Sequence, residues 1–402
     1  MSKPQIRFKG FEDEWEIAPF KSLCTYTASN LTATDAMQSG KYPLFDANKF
    51  IGFTDLAHIN KSYISIIKDG AGVGRVRALP KDSFIIGTLG ALVPNDNSLI
   101  TFLLPLTSIQ NFASHNSGST IPHIYFSQYG ESLVAFPNTT EQGNIGDFFK
   151  QIDEMITEVE REVSRLEKMK QASLQKMFPR PGATAPEIRF DGFSGDWQTA
   201  SFSDVFTQLK NNTLSRACLN YESGTIKNIH YGDVLIKFDS VVDVNSSMVP
   251  YINNNIDIEL NSFNTLSNGD IIFADTAEDE AVGKCVEIEG ADVFDAVSGL
   301  HTIAVRPTIE FAQYYLGYFL NSNSYHSQLL PLMQGIKVLS IGRYAMADTK
   351  VLYPKSLDEQ KAIGEYFRNL DSLLSAKRQK LVKLRNIKQA CLDKMFVNTS
   401  DL

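Results

Sequence analysis

Cysteine is scarce in this chain, and long apolar runs are absent. The four Cys residues, at 24, 218, 285 and 391, stand too far apart for the CxxC pair of a zinc site or a redox motif. No apolar run approaches the roughly 18 residues needed to span a bilayer, and the N-terminus lacks the apolar stretch of a signal peptide. We therefore expect a cytoplasmic protein with no membrane role, whose thiols are reduced and structural.

Positive charge is also in short supply. The chain has 38 Lys and Arg against 46 Asp and Glu, so its net charge is −8. This balance argues against a protein that coats phosphates indiscriminately, although a local basic face is still compatible with DNA binding. Hydrophobic residues make up 43% of the 402 residues, which is enough for two or more globular domains.

Catalytic and metal-binding motifs are missing too. The six His residues form no HxxxH or HExxH pattern, and no GxSxG elbow occurs. GAGVG at 70–74 has neither the GxGxxG spacing of a dinucleotide site nor the Lys-Ser/Thr of a P-loop. The acidic segment at 273–284 resembles a nuclease metal site only loosely, and a solvated turn explains it better. We therefore predict no catalytic residue, metal ion or cofactor in this chain.

Two internal repeats with different offsets give the strongest signal. PQIRFKGFEDEW at 4–15 recurs as PEIRFDGFSGDW at 186–197, and both Trp residues of the chain lie in this pair. The segment at 141–178, which begins EQGNIGDFFK and ends LQKMF, recurs at 359–396 as EQKAIGEYFR to LDKMF. The offsets are 182 and 218, so the second half has 36 additional residues between its motifs. Because the bodies between the motifs show no obvious similarity, the plan predicts two related modules of different specificity.

The second repeat predicts two long helices that pack together. Apolar residues recur in it at spacings of 4 and 3, the heptad period of a supercoiled pair. The net charges of the two segments, −2 and +5, favour mutual packing over two unrelated amphipathic helices, while the pattern leaves parallel and antiparallel arrangements open. The predicted seam consists of Ile145, Phe149, Ile152, Ile156, Val159, Val163 and Leu166 in the first helix, and Ile363, Phe367, Leu370, Leu374, Lys377, Leu381 and Leu384 in the second.

Lys377 is the one polar residue of this seam. A Lys at a heptad core position can fix the register of a helix pair or its choice of partner. Alternatively, its long aliphatic stem lets the ammonium group reach solvent from the seam. Both interpretations stay open from the sequence.

The two bodies are typical of mixed α/β domains with short strands. Strand-like stretches precede turns in both bodies, 311–330 has helical periodicity, and PRPGATAP at 179–186 is typical of a linker. The predicted strands lie within 63–70, 83–94, 99–106, 232–244, 269–276, 284–290 and 301–307.

Two polar stretches before the long helices, 114–127 and 330–346, are candidates for reading DNA. Each combines a glycine with side chains suited to base edges, although a loop that caps a core would have a similar composition. In the first body, the GAGVG segment is typical of a hairpin or loop, although Gly72 and Gly74, which are flanked by Lys68, Arg75 and Arg77, would also let the backbone approach a phosphate closely. The candidate residues are Lys68, Arg75, Arg77, Asn116, Ser119, Thr120 and His123 in the first body, and Gln334, Lys337 and Arg343 in the second.

The tandem arrangement of an IRFxGF motif, a variable body and an EQ..IG..F helix ending in KMF resembles the specificity subunit of type I restriction–modification systems. The resemblance covers the whole chain. It implies a mixed α+β fold with a pseudo-two-fold internal repeat, in which two α/β target-recognition domains are separated by a pair of long antiparallel coiled-coil helices. The implied boundaries are 1–140 and 187–358 for these domains, 141–178 and 359–396 for the helices, 179–186 for the linker and 397–402 for a tail.

The resemblance also implies a function and a set of partners. Each target-recognition domain would read one half of a split double-stranded DNA site, and the helices would set the spacing and dock two copies of a modification subunit. That subunit would use S-adenosylmethionine to methylate adenine at N6, and a restriction subunit would use ATP and Mg²⁺ to cleave DNA. This chain would be non-catalytic by itself. The alternatives are a nuclease that acts alone and a coiled-coil assembly protein with no nucleic-acid role.

Overall fold

The computed structural model describes residues 3–118, 121–256 and 264–397. The chain divides into two compact units. The first unit combines Met1–Arg161 with Gln379–Leu402, and the second unit consists of Glu162–Arg378.

The first unit is built around two small sheets. In one, the strand order is β2-β8-β5-β6 and all neighbours are antiparallel; in the other, the order is β4-β3-β7; and β1 pairs with β9. The elements are β1 (Glu16–Pro19), β2 (Cys24–Ala28), β3 (Tyr42–Phe45), β4 (Phe50–Thr54), β5 (Tyr63–Ile67), β6 (Val76–Leu79), β7 (Phe84–Ile85), β8 (Leu89–Pro94), α1 (Ile100–Ser108), α2 (Phe126–Tyr129), β9 (Leu133–Phe136) and the start of α3 (Thr139–Lys176).

The second unit repeats this plan with additions. Its strand orders are β11-β20-β16-β18-β14 and β12-β15-β13-β19, β10 pairs with β22, and β17 pairs with β21. The elements are β10 (Gln198–Ser201), α4 (Phe202–Val205), β11 (Phe206–Leu209), β12 (Leu219–Asn220), β13 (Ile226–Ile229), α5 (Tyr231–Ile236), β14 (Val241–Asp243), β15 (Tyr251–Ile252), β16 (Ile271–Ala274), β17 (Thr276–Ala277), β18 (Cys285–Glu289), β19 (Asp295–Ser298), β20 (Thr302–Pro307), α6 (Tyr315–Leu320), α7 (Asn323–His326), β21 (Leu339–Ser340), β22 (Lys350–Tyr353) and α8 (Leu357–Met395).

The pairing registers show that the two bodies share one topology. Cys24 pairs with Pro94 in the first unit, and Phe206, which follows Cys24 by 182 residues, pairs with Pro307 in the second. Both central strands, β5 and β16, are buried and place alternate residues in two different cores, as the two-residue period of a strand requires. The similarity that is not visible in the body sequences is therefore present in the fold.

Both long helices begin two residues before the predicted segments and end before their final Phe. The first turn of each helix is capped by a polar side chain that was not predicted from the sequence. The Glu141 N–H donates to Asn138 Oδ1 in α3, and the Glu359 N–H donates to Ser356 Oγ in α8. The predicted fold class, with mixed α/β bodies and two long helices, is confirmed.

Three predictions of secondary structure were wrong. The run at 99–106 forms helix α1 rather than a strand, because a short continuous apolar run suits a buried helix equally well. Within 232–244 the first turn is helix α5, whose Gly232 N–H donates to His230 Nδ1, and only the later residues form β14. The helix predicted over 311–330 is two short helices, since Tyr314 has a left-handed backbone (φ 74°) and Ser322 starts a new turn.

Candidate functional site

A buried ion pair joins the two repeated motifs within each unit. Arg7 donates two hydrogen bonds to Glu141, at 2.7 and 2.8 Å, and Arg189 donates two to Glu359, at 2.6 and 2.7 Å. The side chains of both glutamates are at most 2% exposed. A bidentate Arg–carboxylate pair fixes orientation as well as distance. The Arg of each IRFxGF motif thus holds the body against the start of a long helix.

The Gln of each EQ pair makes a second set of equivalent bonds. Gln142 accepts from the Leu99 N–H and donates to the Pro137 carbonyl. Gln360 accepts from the Ala312 N–H and donates to the Pro354 carbonyl. These contacts tie backbone of the body to the first turn of the helix.

The KMF endings supply the aromatic centre of each unit. Phe396, just after α8, lies 5.7 Å from the ring of Phe149 and 6.4 Å from that of Trp15 in the first unit. Phe178, just after α3, lies 5.7 Å from the ring of Phe367 and 6.3 Å from that of Trp197 in the second. Each IRFxGF motif therefore packs against the end of one long helix and the beginning of the other.

The long helices run antiparallel within each unit. In the first unit, Lys388 pairs with Asp153 and Arg385 with Glu160, both at 2.6 Å. In the second, Arg378 pairs with Glu167 at 2.7 Å, and Ser173 meets Tyr366 at 2.9 Å. Most of these pairs place the acid on α3 and the base on α8, as the opposite net charges of the two segments suggested.

The predicted seam residues all lie at buried or partly buried positions. Ile145, Phe149, Ile152 and Val159 are buried on α3, and Ile363, Phe367, Leu370 and Leu374 are buried on α8. The partly buried members are Ile156, Val163, Leu166, Lys377, Leu381 and Leu384. Lys377 Nζ lies 2.7 Å from Glu162 Oε2, with 26% of the lysine side chain exposed. The lysine thus reaches an acidic partner at the edge of the seam.

The candidate cations of the first body divide into two groups. Arg75 donates to the Ala47 carbonyl and Asn48 Oδ1, and Arg77 donates to the backbone carbonyls of Asp46 and Asn48. Both guanidinium groups therefore hold the loop after β3. Lys68 Nζ lies 3.2 Å from the Asp69 carboxylate at the end of β5 and is partly exposed.

The two described arms of the first polar stretch, 114–118 and 121–127, pair as a hairpin beside Lys68. Ser117 and His123 form a bridge, and the His123 N–H donates to Asn116 Oδ1 at 2.8 Å. The returning arm attaches to the body because the Ile124 N–H donates to the Lys68 carbonyl and His123 pairs with Asp69. The hairpin thus brings Asn116, His123 and Lys68 together, while Ser119 and Thr120 lie outside the described residues.

The second polar stretch forms the same hairpin in the second unit. Gln334 and Ser340 form a bridge, and the Ile341 N–H donates to the Asp275 carbonyl at 2.9 Å. Lys337 is exposed at the tip, and Arg343 Nη1 lies 3.4 Å from Gln208 Oε1. The hairpin holds Gln334 and Lys337, and Arg343 follows its returning arm.

A glycine fixes the turn in both hairpins. Gly118 and Gly335 have positive φ, 112° and 124°, and a Cβ at either would collide with the carbonyl oxygen three residues later. The glycines, bridges and body attachments repeat at an offset of 217 residues, for example from Gly118 to Gly335. This offset lies within one residue of the helix repeat, and it is the sequence signal that could have identified the hairpins as equivalent.

An Asp–His pair lies beside each hairpin. His123 pairs with Asp69 in the first unit, and His301 Nδ1 lies 3.3 Å from Asp275 Oδ1 in the second. Burial raises the pKa of the Asp275 carboxyl, while His301 and Arg343 act in the opposite direction. The two hairpins therefore share a backbone design but present different side chains.

Two features are absent from residues 3–118, 121–256 and 264–397. No group of three or more His, Cys, Asp or Glu side chains in these ranges could hold a metal ion. None of the helices in the same ranges has the length and apolar character needed to cross a membrane.

Comparison with known proteins gives matches along the whole chain. A family model described as the type I restriction modification DNA specificity domain matches residues 12–168 and 194–386. The chain is 21% identical to the type I restriction enzyme MjaVIII specificity subunit of Methanocaldococcus jannaschii, over 95% of this chain and 92% of that protein.

Solved structures show the same fold. The S subunit of a type I restriction–modification system from M. genitalium has a TM-score of 0.66 at 17% identity, covering 99% of this chain and 100% of that one. A chain from a structure on complex assembly and conformational transition of the type I R-M system has a TM-score of 0.50 at 17% identity, covering 96% and 98%.

Proposed function

Because the chain belongs to the type I restriction–modification specificity family, whose sequence model matches most of both units, we propose that the two units divide the recognition of one DNA target between them. The chain is a specificity subunit that recognises a DNA target and is not itself catalytic. Each unit reads one half of a split double-stranded site, and the two long helices set the spacing between the halves.

One observation carries this proposal: one chain holds two units that share a core topology and a hairpin but have different surface side chains. The equivalent ion pairs, Arg7–Glu141 and Arg189–Glu359, keep the frame alike. The hairpins differ, with Asn116 and His123 in one and Gln334 and Lys337 in the other. Side chains of this kind discriminate base edges, so unlike hairpins support unlike half-sites.

The test of this division is methylation-sensitive sequencing of the host genome. We expect a split motif with methylated adenine in both halves, and we expect this methylation to disappear when the gene is deleted. A motif that persists after deletion, or a motif without two separated halves, would contradict the proposal.

The same proposal assigns chemistry to partner subunits. A modification subunit, present in two copies, uses S-adenosylmethionine to methylate adenine at N6. A restriction subunit joins them in the cytoplasm and uses ATP and Mg²⁺ for cleavage. In this scheme the specificity subunit contributes recognition and docking surfaces alone.

Exposed apolar residues that repeat along the long helices support two docking sites. Met155 on α3 and Leu373 on α8 are 46% and 43% exposed, and they are related by the helix offset of 218. Met169 and Ile387, 40% and 41% exposed, are related by the same offset. Each unit therefore has one such residue from each helix, and exposed apolar positions of this kind mark interaction surfaces.

Docking is tested by replacing one pair at a time. Met155→Ser with Ile387→Ser should leave one copy of the modification subunit bound instead of two, as measured by native mass spectrometry. Met169→Ser with Leu373→Ser should do the same. Val382→Ser is the control, because Val382 is 57% exposed but Ser164 stands at its repeat position. Two bound copies in both double variants would contradict this docking surface.

A further inference from the structure

The hairpin of the second unit carries apolar side chains at its tip. Ile336 is 99% exposed and Val338 is 55% exposed, on either side of Lys337. Exposed apolar residues that lie close together, as Ile336 and Val338 do, can mark a contact with another molecule. The recognition chemistry described above does not use them.

The base of this hairpin is held firmly. Gln334 and Ser340 exchange two backbone hydrogen bonds, at 2.9 and 2.8 Å. Strand β21, which lies in the returning arm, pairs with β17, and Ile341 directly after β21 is only 3% exposed. The geometry of Gly335 closes the turn. The tip therefore projects from a fixed platform.

The charges around the tip favour a position of the tip within a groove of the DNA, rather than along one row of backbone phosphates. The stretch 330–346 contains two cations and no acidic residue, in a chain of net charge −8. Its neighbouring strand continues from Ala277 into three exposed acidic residues, 278–280, and carboxylates repel phosphates. A tip placed between the phosphate rows satisfies both features, because Lys337 approaches the backbone while the acids face base edges.

Building on the function proposed above, we propose that Ile336 acts as an apolar wedge that enters its half-site and unstacks a base step. Apolar side chains of DNA-bending proteins open base steps in this way, and the cost of unstacking is offset by the additional contacts that bent DNA allows. In the first unit the offset of 217 residues places Ile121, which is 64% exposed, at the position equivalent to Val338.

The test uses the full chain assembled with its modification subunit and a duplex that carries the motif found by sequencing. 2-Aminopurine, which pairs with thymine and whose fluorescence rises on unstacking, replaces in turn each adenine of either strand in and beside one half-site. Enzymes that methylate a base first swing it out of the stack, so the wild type should show two bright positions: the target adenine of the modification subunit, and a second position where the wedge enters. Ile336→Ser should abolish only the second and weaken binding roughly ten- to hundredfold, whereas Ile336→Phe should retain it.

The control is Val293→Ser, which removes another 71%-exposed apolar residue of the same unit and should change nothing. A second bright position that survives in Ile336→Ser overturns the wedge. The wedge is also overturned if Ile336→Ser binds DNA normally but no longer binds the modification subunit, because the tip would then be a contact with that protein. If the wild type itself does not prefer the motif over a scrambled duplex, the proposed function fails instead, and the wedge fails with it.

Discussion

At the scale of single residues, Glu287 is a buried carboxyl group of the second unit whose pKa departs from its usual value. It lies on β18, is 2% exposed, and accepts from the N–H groups of Tyr314 and Gly317 at 2.6 and 2.8 Å. Burial raises its pKa to about 7, although the two N–H donors favour the charged form. The equivalent position in the first unit, Ala78 on β6, is exposed. The glutamate therefore belongs to the additional packing of the second unit.

This shift makes the stability of the second unit depend on pH. An unfolded Glu has a pKa of roughly 4.3, so between that value and about 7 the folded state binds more protons than the unfolded state. The free energy of unfolding should consequently fall as pH rises through this window, by up to about 3 kcal/mol. Denaturant unfolding of the full chain at pH 5 and pH 8 measures this fall.

Glu287→Gln should reduce the fall between the two pH values, because the substituted side chain does not titrate. The exposed Glu310→Gln is the matched control and should behave like the wild type. An equal fall in wild type and Glu287→Gln would show that Glu287 does not titrate in this window.

The repeated motifs were found from the sequence, but the contacts that explain them were not. Arg7 and Glu141 were both part of recognised repeats, yet 134 residues separate them, and neither repeat indicates which residue of the other it meets. Similarly, Trp15 and Phe396 are at opposite ends of the chain. The sequence therefore identified the repeated residues, but only the folded structure shows which of them are in contact.

At the scale of elements, strongly periodic segments were predictable and short ones were not. The heptad pattern placed α3 and α8 to within about two residues, because many positions contribute to a long helix. Helix α1 and helix α5 are nine and six residues long, and their apolar runs fit a strand equally well. The hairpins were seen only as polar stretches, because their equivalence depends on one glycine and a backbone bridge.

The hypothesis that Lys377 sets the register of the helix pair remains a prediction, and the contacts of the lysine lead us to expect a small effect. The ion pair with Glu162 is partly exposed, and such pairs contribute under about 1 kcal/mol. The ends of both helices are already fixed by Phe178 and Phe396. Lys377→Leu should therefore assemble normally with the modification subunit and shift the melting temperature by no more than about 2–4 °C.

Lys377→Glu provides the contrast for this prediction, since a second carboxylate would face Glu162. It should melt at a lower temperature than Lys377→Leu, and adding Glu162→Lys should restore the loss. Failed assembly of the leucine variant alone would instead support the register role.

At the scale of the whole molecule, the insertions explain why the bodies looked unrelated. The offset between equivalent residues is 182 from Cys24 to Phe206 and 207 from Ile64 to Ile271. Most of the 36 additional residues thus enter before the central strand, where α5 and β14 lie. In the second unit, β14 adds a strand to the sheet beyond β18. In the first unit, β6 is the last described strand at the same edge of the equivalent sheet. Short strands joined by such insertions retain their topology without detectable identity.

A common frame around different bodies predicts that the bodies can be exchanged. Residues 16–137 of this chain can be replaced by the equivalent body of a relative with another target, while Arg7, Glu141 and Phe396 keep their frame contacts. We expect one half of the methylated motif to change, and the other half and the spacing to stay the same, because the helices are untouched. Methylation-sensitive sequencing of cells that carry the chimera measures this. The reciprocal exchange of 198–354 should change the opposite half. If an assembled chimera altered both halves or the spacing, the two units would not read DNA independently.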